Sequence, residues 1–230
     1  VKAVTNGRNI YSNIKNSIKF LLSGNLSGIL AVLYASLMAL PVPFAAVHLL
    51  FINLLTDSLP AIAIGMEESN KDLLKEQPRN SKESILTKSF LKEISIEGIL
   101  MSISTIVAFH IGLSTGNTGI ASTMAFSTLC LARLFHGFNC RGKKSIFKLG
   151  VFNNKYSWYA FLLGLILLNT VLFVPPIQEI FQVTPLNTPL FVWIYLLAFL
   201  PTLLIQLYKV FLKDSENNYN KENVDETIRF

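Results

Sequence analysis

Six long apolar runs, separated by shorter polar segments, make up most of the chain. Each run has roughly 20 residues, the length that an α-helix needs to cross the hydrocarbon core of a bilayer. The pattern predicts an all-α fold, a polytopic membrane helical bundle embedded in a lipid bilayer. Its six transmembrane helices are predicted at residues 20–40, 44–66, 94–113, 119–138, 156–174 and 190–212.

Composition supports the membrane assignment and narrows the classes of function. The 230 residues are 51% hydrophobic and 15% charged, and their mean hydropathy is +0.47. An ordinary soluble domain is less apolar than this. The sequence has no Gly-rich phosphate loop and no nucleophile–base motif. We therefore expect no soluble catalytic domain in this chain, and no nucleic acid among its partners.

Charge distribution predicts the orientation of the bundle. The links 41–43, 114–118 and 175–189 contain one charged residue, Glu179, whereas the links 67–93 and 139–155 are rich in Lys and Arg. Basic loops stay on the cytosolic side of a membrane. Both termini are therefore predicted to be cytosolic, with three tight hairpins outside. The polar residues 213–230 are predicted to form a disordered cytosolic tail.

One polar cluster interrupts the second run. Asn53, Thr56 and Asp57 are spaced so that an α-helix would bring their oxygens to one face. Pro60 has no N–H to donate to the Thr56 carbonyl, so the helix can open beside the carboxylate. A carboxylate inside a membrane span is costly and indicates a functional site. Hard oxygen donors on an opened helix predict a cation site, although Asn53 and Thr56 alone would also suit helix–helix hydrogen bonding.

Three further polar residues lie inside the runs, and two of them, Asn25 and Arg133, allow two interpretations each. Asn25 can donate an amide oxygen to the same cation, or it can belong to a packing seam of small residues, Gly24 and Gly28. Arg133 can snorkel to the interface, or it can pair with Asp57 as an internal counter-ion that never loses its proton. Glu97 is expected in the first turn of the third span, where a carboxylate suits the helix dipole.

Several segments resemble the C-terminal half of the membrane domain of P-type calcium-transporting ATPases. They are residues 7–15 (GRNIYSNIK) with 23–25 (SGN), 52–61 (INLLTDSLPA), 77–79 (QPR) and 123–127 (TMAFS). The resemblance implies that residues 1–212 are the fifth to tenth transmembrane helices of such a pump. The remaining N-terminal helices and the cytosolic domains of the same protein would then be its partners.

The resemblance also implies roles for individual residues. Asn53 and Asp57 match ligands of the calcium site that single-site pumps retain, completed by a glutamate on a helix outside this chain. Thr56 and Asn25 match positions of the second site in two-calcium pumps. Where those pumps carry glutamates, this chain has Gly28 and Arg133. A fixed cation in place of carboxylates disfavours a second divalent ion. The match is therefore to single-site pumps of plasma-membrane or bacterial type, with Arg133 as counter-ion of Asp57.

The function implied by the resemblance is ATP-driven Ca²⁺ export across the cell membrane of a bacterium. One Ca²⁺ would move per cycle, with H⁺ carried in return. ATP and Mg²⁺ would bind to cytosolic domains that this chain lacks, so the chain alone is expected to be inactive. Two alternatives stay open: a pump for another divalent cation such as Mn²⁺, which accepts the same oxygen ligands, and a non-enzymatic channel or carrier subunit.

Overall fold

The computed structural model of the chain describes residues 2–68 and 84–228. These residues contain helices and no strand, which confirms the all-α prediction. The helices are α1 (Lys2–Leu37), α2 (Ala46–Phe51), α3 (Ser58–Gly65), α4 (Lys88–Leu113), α5 (Thr118–Asn139), α6 (Ile146–Leu149), α7 (Lys155–Phe173), α8 (Pro175–Ile180) and α9 (Thr188–Ile228), with a π-helical turn, Ile52–Thr56, between α2 and α3. The motif at residues 77–79 lies outside the described residues.

Six helical segments of the described residues are long and apolar enough to cross a membrane, which confirms the predicted number of spans. They are Ala3–Leu37, Ala46–Gly65, Lys88–Leu113, Thr118–Asn139, Lys155–Phe173 and Thr188–Phe211. The first and third extend well beyond the apolar runs at their N-terminal ends. The second is a composite of α2, the π-helical turn and α3.

The early start of α4 makes the expectation for Glu97 wrong. Thr87 caps the helix, because its Oγ1 accepts a hydrogen bond from the Phe90 N–H at 3.3 Å, and α4 begins at Lys88. At roughly 3.6 residues per turn, Glu97 lies in the third turn and not at the N-terminal end. Its side chain is buried, so a buried partner rather than the helix dipole must stabilise its charge.

The last helix extends further than the sequence suggests. α9 continues to Ile228, through most of the segment 213–230 for which disorder was predicted. After Pro201 the chain has no Gly or Pro, and these are the two residue types that interrupt a helix most strongly. Polar composition alone is therefore compatible with the continued helix that the structure describes.

Helix α5 forms the centre of the bundle. Of its membrane-spanning window 72% is buried, against 33% to 50% in the other five spans, and it packs against α1, α4, α7 and α9. Small residues allow the closest of these contacts, since a Cβ added to Gly112 of α4 would lie 2.4 Å from the Ala121 Cα. Polar side chains on α5 are therefore held inside the protein.

Candidate cation site

The helix of the second span opens at the predicted place. Between α2 and α3 the backbone adopts a π-helical turn, and the Asp57 N–H donates to the Ile52 carbonyl oxygen five residues earlier, at 2.9 Å. Pro60 follows three residues later and supplies no N–H to the Thr56 carbonyl. Single π turns are rare in proteins, and those that occur are often found at functional sites. The turn widens the helix next to the Asp57 carboxylate.

The Asp57 carboxylate is paired with Arg133. The Nη1 atom of Arg133 lies 2.6 Å from both carboxylate oxygens of Asp57. The two residues are buried, with 5% and 2% of their surface exposed. A snorkelling arginine would reach the interface with its guanidinium exposed, so the structure favours the internal ion pair. Its role as a counter-ion during transport stays a prediction.

Asn25 completes a triad around the guanidinium. The Nη2 atom of Arg133 donates to Asn25 Oδ1 at 3.3 Å, so a single side chain joins α1 to the π-helical turn. Gly24 makes this approach possible, because a Cβ there would lie 3.1 Å from Arg133 Nε. The packing interpretation and the oxygen-donor interpretation of this segment are therefore compatible: Gly24 packs against Arg133, while Asn25 presents its oxygen.

The other two predicted ligands do not point at this triad. Thr56 is buried, and its Oγ1 donates to the Ile52 carbonyl oxygen at 2.9 Å. Asn53 is exposed on the surface of the bundle. The α-helical spacing predicted one face for Asn53 and Asp57, but the wider π turn changes the angle between successive residues. The structure therefore brings together Asn25, Asp57 and Arg133, and leaves Asn53 apart.

A second buried charge cluster, which the sequence pattern did not predict, lies on the side of the bundle that holds the 139–155 link. Lys19 Nζ lies 3.1 Å from Glu97 Oε1, and His136 Nε2 lies 3.4 Å from Glu97 Oε2. All three side chains are buried. The sequence carried a signal for this cluster, because His136 follows Arg133 by one helical turn on the same central helix. Lys19 gave none, since it lies at the edge of an apolar run.

A third cluster joins the helix ends on this same side. Arg141 makes two hydrogen bonds to the Glu67 carboxylate, at 2.9 and 2.8 Å, and Asn154 donates to the same carboxylate at 2.6 Å. On α1, Asn13 donates to the Glu67 carbonyl oxygen at 2.8 Å. The cluster ties the end of α3 to α1 and to the segment between α5 and α7.

Comparison with known proteins agrees with this architecture. The family model described as "Cation transporting ATPase, C-terminus" matches residues 41–211. The chain is 37% identical over 205 residues to a calcium-transporting ATPase of Bacillus subtilis, an alignment that covers 88% of this chain and 23% of that protein. It is 42% identical over 187 residues to calcium-transporting ATPase 1 of Lactococcus lactis, covering 80% of this chain and 21% of that protein.

A eukaryotic relative shows the same partial coverage. Human calcium-transporting ATPase type 2C member 1 is 33% identical over 189 residues, which are 81% of this chain and 21% of that protein. The chain thus spans about a quarter or less of the length of the curated relatives it matches. With six candidate spans and a family match over most of its length, it belongs to the cation-transporting ATPase family, in which it corresponds to the C-terminal membrane region.

Proposed function

We propose that this chain is part of an ATP-driven pump whose transported cation is Ca²⁺. The observation that carries the proposal is the Asp57 carboxylate, buried inside a membrane bundle at a π-helical turn. A carboxylate inside a membrane span is costly and indicates a functional site. The names of the relatives, which are calcium-transporting ATPases, favour Ca²⁺ over other divalent ions.

The proposed site takes oxygen ligands from two helices of this chain. Asp57 supplies a carboxylate and Asn25 an amide oxygen, and the Thr56 carbonyl, which cannot accept from Pro60, lies at the opened turn beside them. Asn53, which this structure leaves apart from Asp57, would join them as a further amide ligand only when the helices outside this chain are present. Asn25 and Asn53 are both exposed, so each of them is accessible to a further helix. The N-terminal helices of the full protein would cover it and complete the coordination, because Ca²⁺ takes six to eight oxygen ligands.

Arg133 supports a stoichiometry of one Ca²⁺ per cycle. Its guanidinium already contacts Asn25 and Asp57, and it keeps its positive charge at every physiological pH. A second divalent ion placed among these groups would lie a few ångströms from that positive charge. The repulsion costs roughly several kcal/mol even at an effective dielectric constant of about 20. In return for Ca²⁺ the pump would carry H⁺. ATP and Mg²⁺ would bind in its cytosolic domains, and the whole protein would lie in the cell membrane.

The proposal is tested with the full-length protein in sealed vesicles, by measuring ATP hydrolysis and ⁴⁵Ca²⁺ uptake against free Ca²⁺. We expect Ca²⁺-stimulated turnover in the wild type and its loss in Asp57→Asn, because an amide replaces the anionic ligand. Stimulation by Mn²⁺ alone would change the assigned substrate. If no cation stimulates turnover, the proposed pump function fails, and a role as a channel or carrier subunit replaces it.

In the same assay, Arg133→Glu tests the counter-ion. The substitution replaces a fixed cation with an oxygen ligand, so we expect a changed ratio of Ca²⁺ to ATP or a shift of about tenfold or more in half-saturating Ca²⁺, equivalent to 1.4 kcal/mol. Asn169→Asp on α7 is the matched control, because it introduces a carboxylate into a span elsewhere. Unchanged Ca²⁺ dependence in Arg133→Glu would reject the counter-ion role.

A further inference from the structure

A chain of hydrogen bonds between α6, α9 and α5 determines how the buried His136 is protonated. It starts at the Ile146 backbone N–H, which can only donate, and Gln206 Oε1 accepts from it at 3.0 Å. The other end of the same amide, Gln206 Nε2, donates to Asn139 Oδ1 at 2.6 Å. The Asn139 amide is therefore oriented with its nitrogen towards His136, whose Nδ1 lies 3.3 Å away.

This orientation selects one form of the imidazole. An amide nitrogen donates and cannot accept, so His136 Nδ1 must present its lone pair to Asn139. A neutral imidazole then carries its proton on Nε2. That nitrogen lies 2.9 Å from Ser23 Oγ. The Ser23 hydroxyl donates its own proton to the Lys19 carbonyl oxygen at 2.7 Å, which leaves Ser23 Oγ to accept from His136.

The charged groups around His136 also favour its neutral form. From α4, Glu97 approaches Nε2 at 3.4 Å, but its charge is already matched by Lys19, 3.1 Å away. Lys19 also lies 3.7 Å from Glu93. From α9, Lys209 donates to the backbone carbonyl of Asn139. With both lysines charged, a second proton on the ring would add a third cation and would break the Asn139 hydrogen bond.

The same arrangement argues against a metal ion in this cluster. Ligand atoms of Glu97, His136 and Cys140 lie within 4.8 Å of one another, which is a plausible spacing for a metal site. The nearest nitrogen of His136, however, carries the proton, and Cys140 Sγ lies 3.2 Å from it. The Lys19 ammonium pairs with Glu97 Oε1, while Glu97 Oε2 is buried without a hydrogen-bond partner among the described residues. The protonated Nε2 and the Lys19–Glu97 ion pair therefore disfavour a metal ion in this cluster.

His136 lies next to the proposed cation site along the α1–α5 contact. It follows Arg133 by three residues on α5, and its partner Ser23 directly precedes Gly24 on α1. Gly24 is the residue against which Arg133 packs, since a Cβ there would lie 3.1 Å from Arg133 Nε. The Ser23–His136 hydrogen bond and the Gly24–Arg133 contact are thus successive links between the same two helices.

We propose that His136 is a positioning residue, which stays neutral with its proton on Nε2 and holds α1 against α5 so that Arg133 reaches Asp57 and Asn25. It neither carries a transported proton nor binds a metal. The protonation state is inferred from geometry alone. The effect on transport rests on the proposed function. The protonation state and the effect on transport are therefore tested by two separate measurements.

The first measurement is ¹⁵N NMR of the full-length protein, labelled at histidine and reconstituted in lipid. The pair of ring ¹⁵N signals that is absent from the spectrum of His136→Gln is assigned to His136. We expect a nonprotonated Nδ1 and a protonated Nε2 in the wild type. Asn139→Asp replaces the donor with an acceptor, so it should move a proton onto Nδ1. Asn169→Asp makes the same substitution on α7, where the amide contacts Leu165 and Tyr195, and should leave the His136 signals unchanged.

A wild-type ring with its proton on Nδ1, or with both nitrogens protonated, would overturn the assignment. So would an Asn139→Asp protein in which the His136 signals do not move. Neither result depends on whether the protein transports Ca²⁺.

The second measurement compares His136→Gln with His136→Leu in Ca²⁺-dependent ATP hydrolysis between pH 6 and 8 (about one unit on either side of neutral). Glutamine keeps an N–H donor for Ser23 but takes up no proton. We expect its half-saturating Ca²⁺ to stay within about twofold of wild type, and leucine to raise it about fivefold or more, the factor for one net hydrogen bond. The pH dependence of ATP hydrolysis in His136→Gln should match that of the wild type.

A pH profile flattened by His136→Gln would mean that His136 acts through protonation, and would refute the positioning role. So would equal losses in the Gln and Leu variants. If the wild-type protein is not stimulated by Ca²⁺ at all, the proposed function fails, while the NMR measurement still decides the protonation state of His136.

Discussion

Several buried charges of the described residues come in pairs, and this governs what a single substitution can do. Asp57 and Arg133 are both almost fully buried and bonded to each other at 2.6 Å. Removing one member of a buried pair leaves an uncompensated charge, at a cost of about 3–5 kcal/mol. Variants that shift the pair without removing a charge therefore complement Asp57→Asn and Arg133→Glu as tests of Ca²⁺ dependence.

Gly24 and Gly28 offer such a test, because they lie one turn apart on the same face of α1. An alanine Cβ at Gly24 would lie 3.1 Å from Arg133 Nε and 3.2 Å from Cζ, whereas at Gly28 the nearest atom is Leu129 Cδ2 at 3.6 Å. Asp57 and Asn25 restrain the guanidinium, so it cannot easily move away. We expect Gly24→Ala to shift half-saturating Ca²⁺ by about fivefold or more, equivalent to 1 kcal/mol.

Gly28→Ala is the matched control, read out by the same Ca²⁺ titration and by thermal unfolding in detergent. Its Cβ makes ordinary contacts, and Gly to Ala in a helix gains up to about 1 kcal/mol of helix propensity. It should therefore keep the wild-type Ca²⁺ dependence. Equal behaviour of the two alanine variants would contradict a close Gly24–Arg133 contact.

At the scale of elements, two local features shape the bundle. The π-helical turn Ile52–Thr56 breaks the second span beside Asp57, and small residues let α4 approach α5. In membranes, close helix packing relies on such small residues rather than on the hydrophobic effect. The α4–α5 contact places the central helix, and with it both Arg133 and His136.

We expect Gly112→Ala to destabilise the bundle. The added Cβ would lie 2.4 Å from the Ala121 Cα and 2.9 Å from its N, so α4 and α5 would have to separate. Overpacking of this kind costs about 1–3 kcal/mol, and the melting temperature of the full-length protein in detergent should fall. Gly65→Ala on α3 is the control, because nothing lies within 4 Å of its Cβ. Equal melting temperatures would argue against the tight crossing.

At the scale of the whole molecule, polar contacts gather on the side that the charge pattern assigns to the cytosol. The Glu67 carboxylate binds Arg141 and Asn154, and it thereby joins α3 to α7 and to the segment after α5. The Asn13 side chain of α1 donates to the backbone carbonyl of Glu67. Motion of the long helix α1 at this end would therefore strain several spans together.

The predicted orientation is checked with a membrane-impermeant maleimide on whole cells. Ser114→Cys lies in the uncharged α4–α5 link and should be labelled from outside. Lys144→Cys lies in the basic link after α5 and should react only after the membrane is opened. Cys130 and Cys140 are buried and should contribute little background. The opposite labelling pattern would invert the proposed topology.

Some features of this protein follow from the sequence because their causes are local. A run of about 20 apolar residues spans a bilayer wherever it occurs, which is why all six spans were predicted. Pro60 loosens the helix before it through its own missing N–H, and the π-helical turn lies there. The contact between Arg133 and Asp57 was one of two interpretations that the residues allowed, and the family resemblance favoured it.

Other features were decided only by tertiary structure, because they depend on how each helix is rotated and which helices surround it. The spacing of Asn53 and Asp57 predicted a shared face, yet the π turn leaves Asn53 exposed. Glu97 was expected at a helix end and is instead buried against Lys19 of α1. The protonation of His136 depends on Gln206, which is 70 residues away in the chain. Contacts of this range leave no periodic trace in a sequence, since each partner alone reads as one polar residue in an apolar helix.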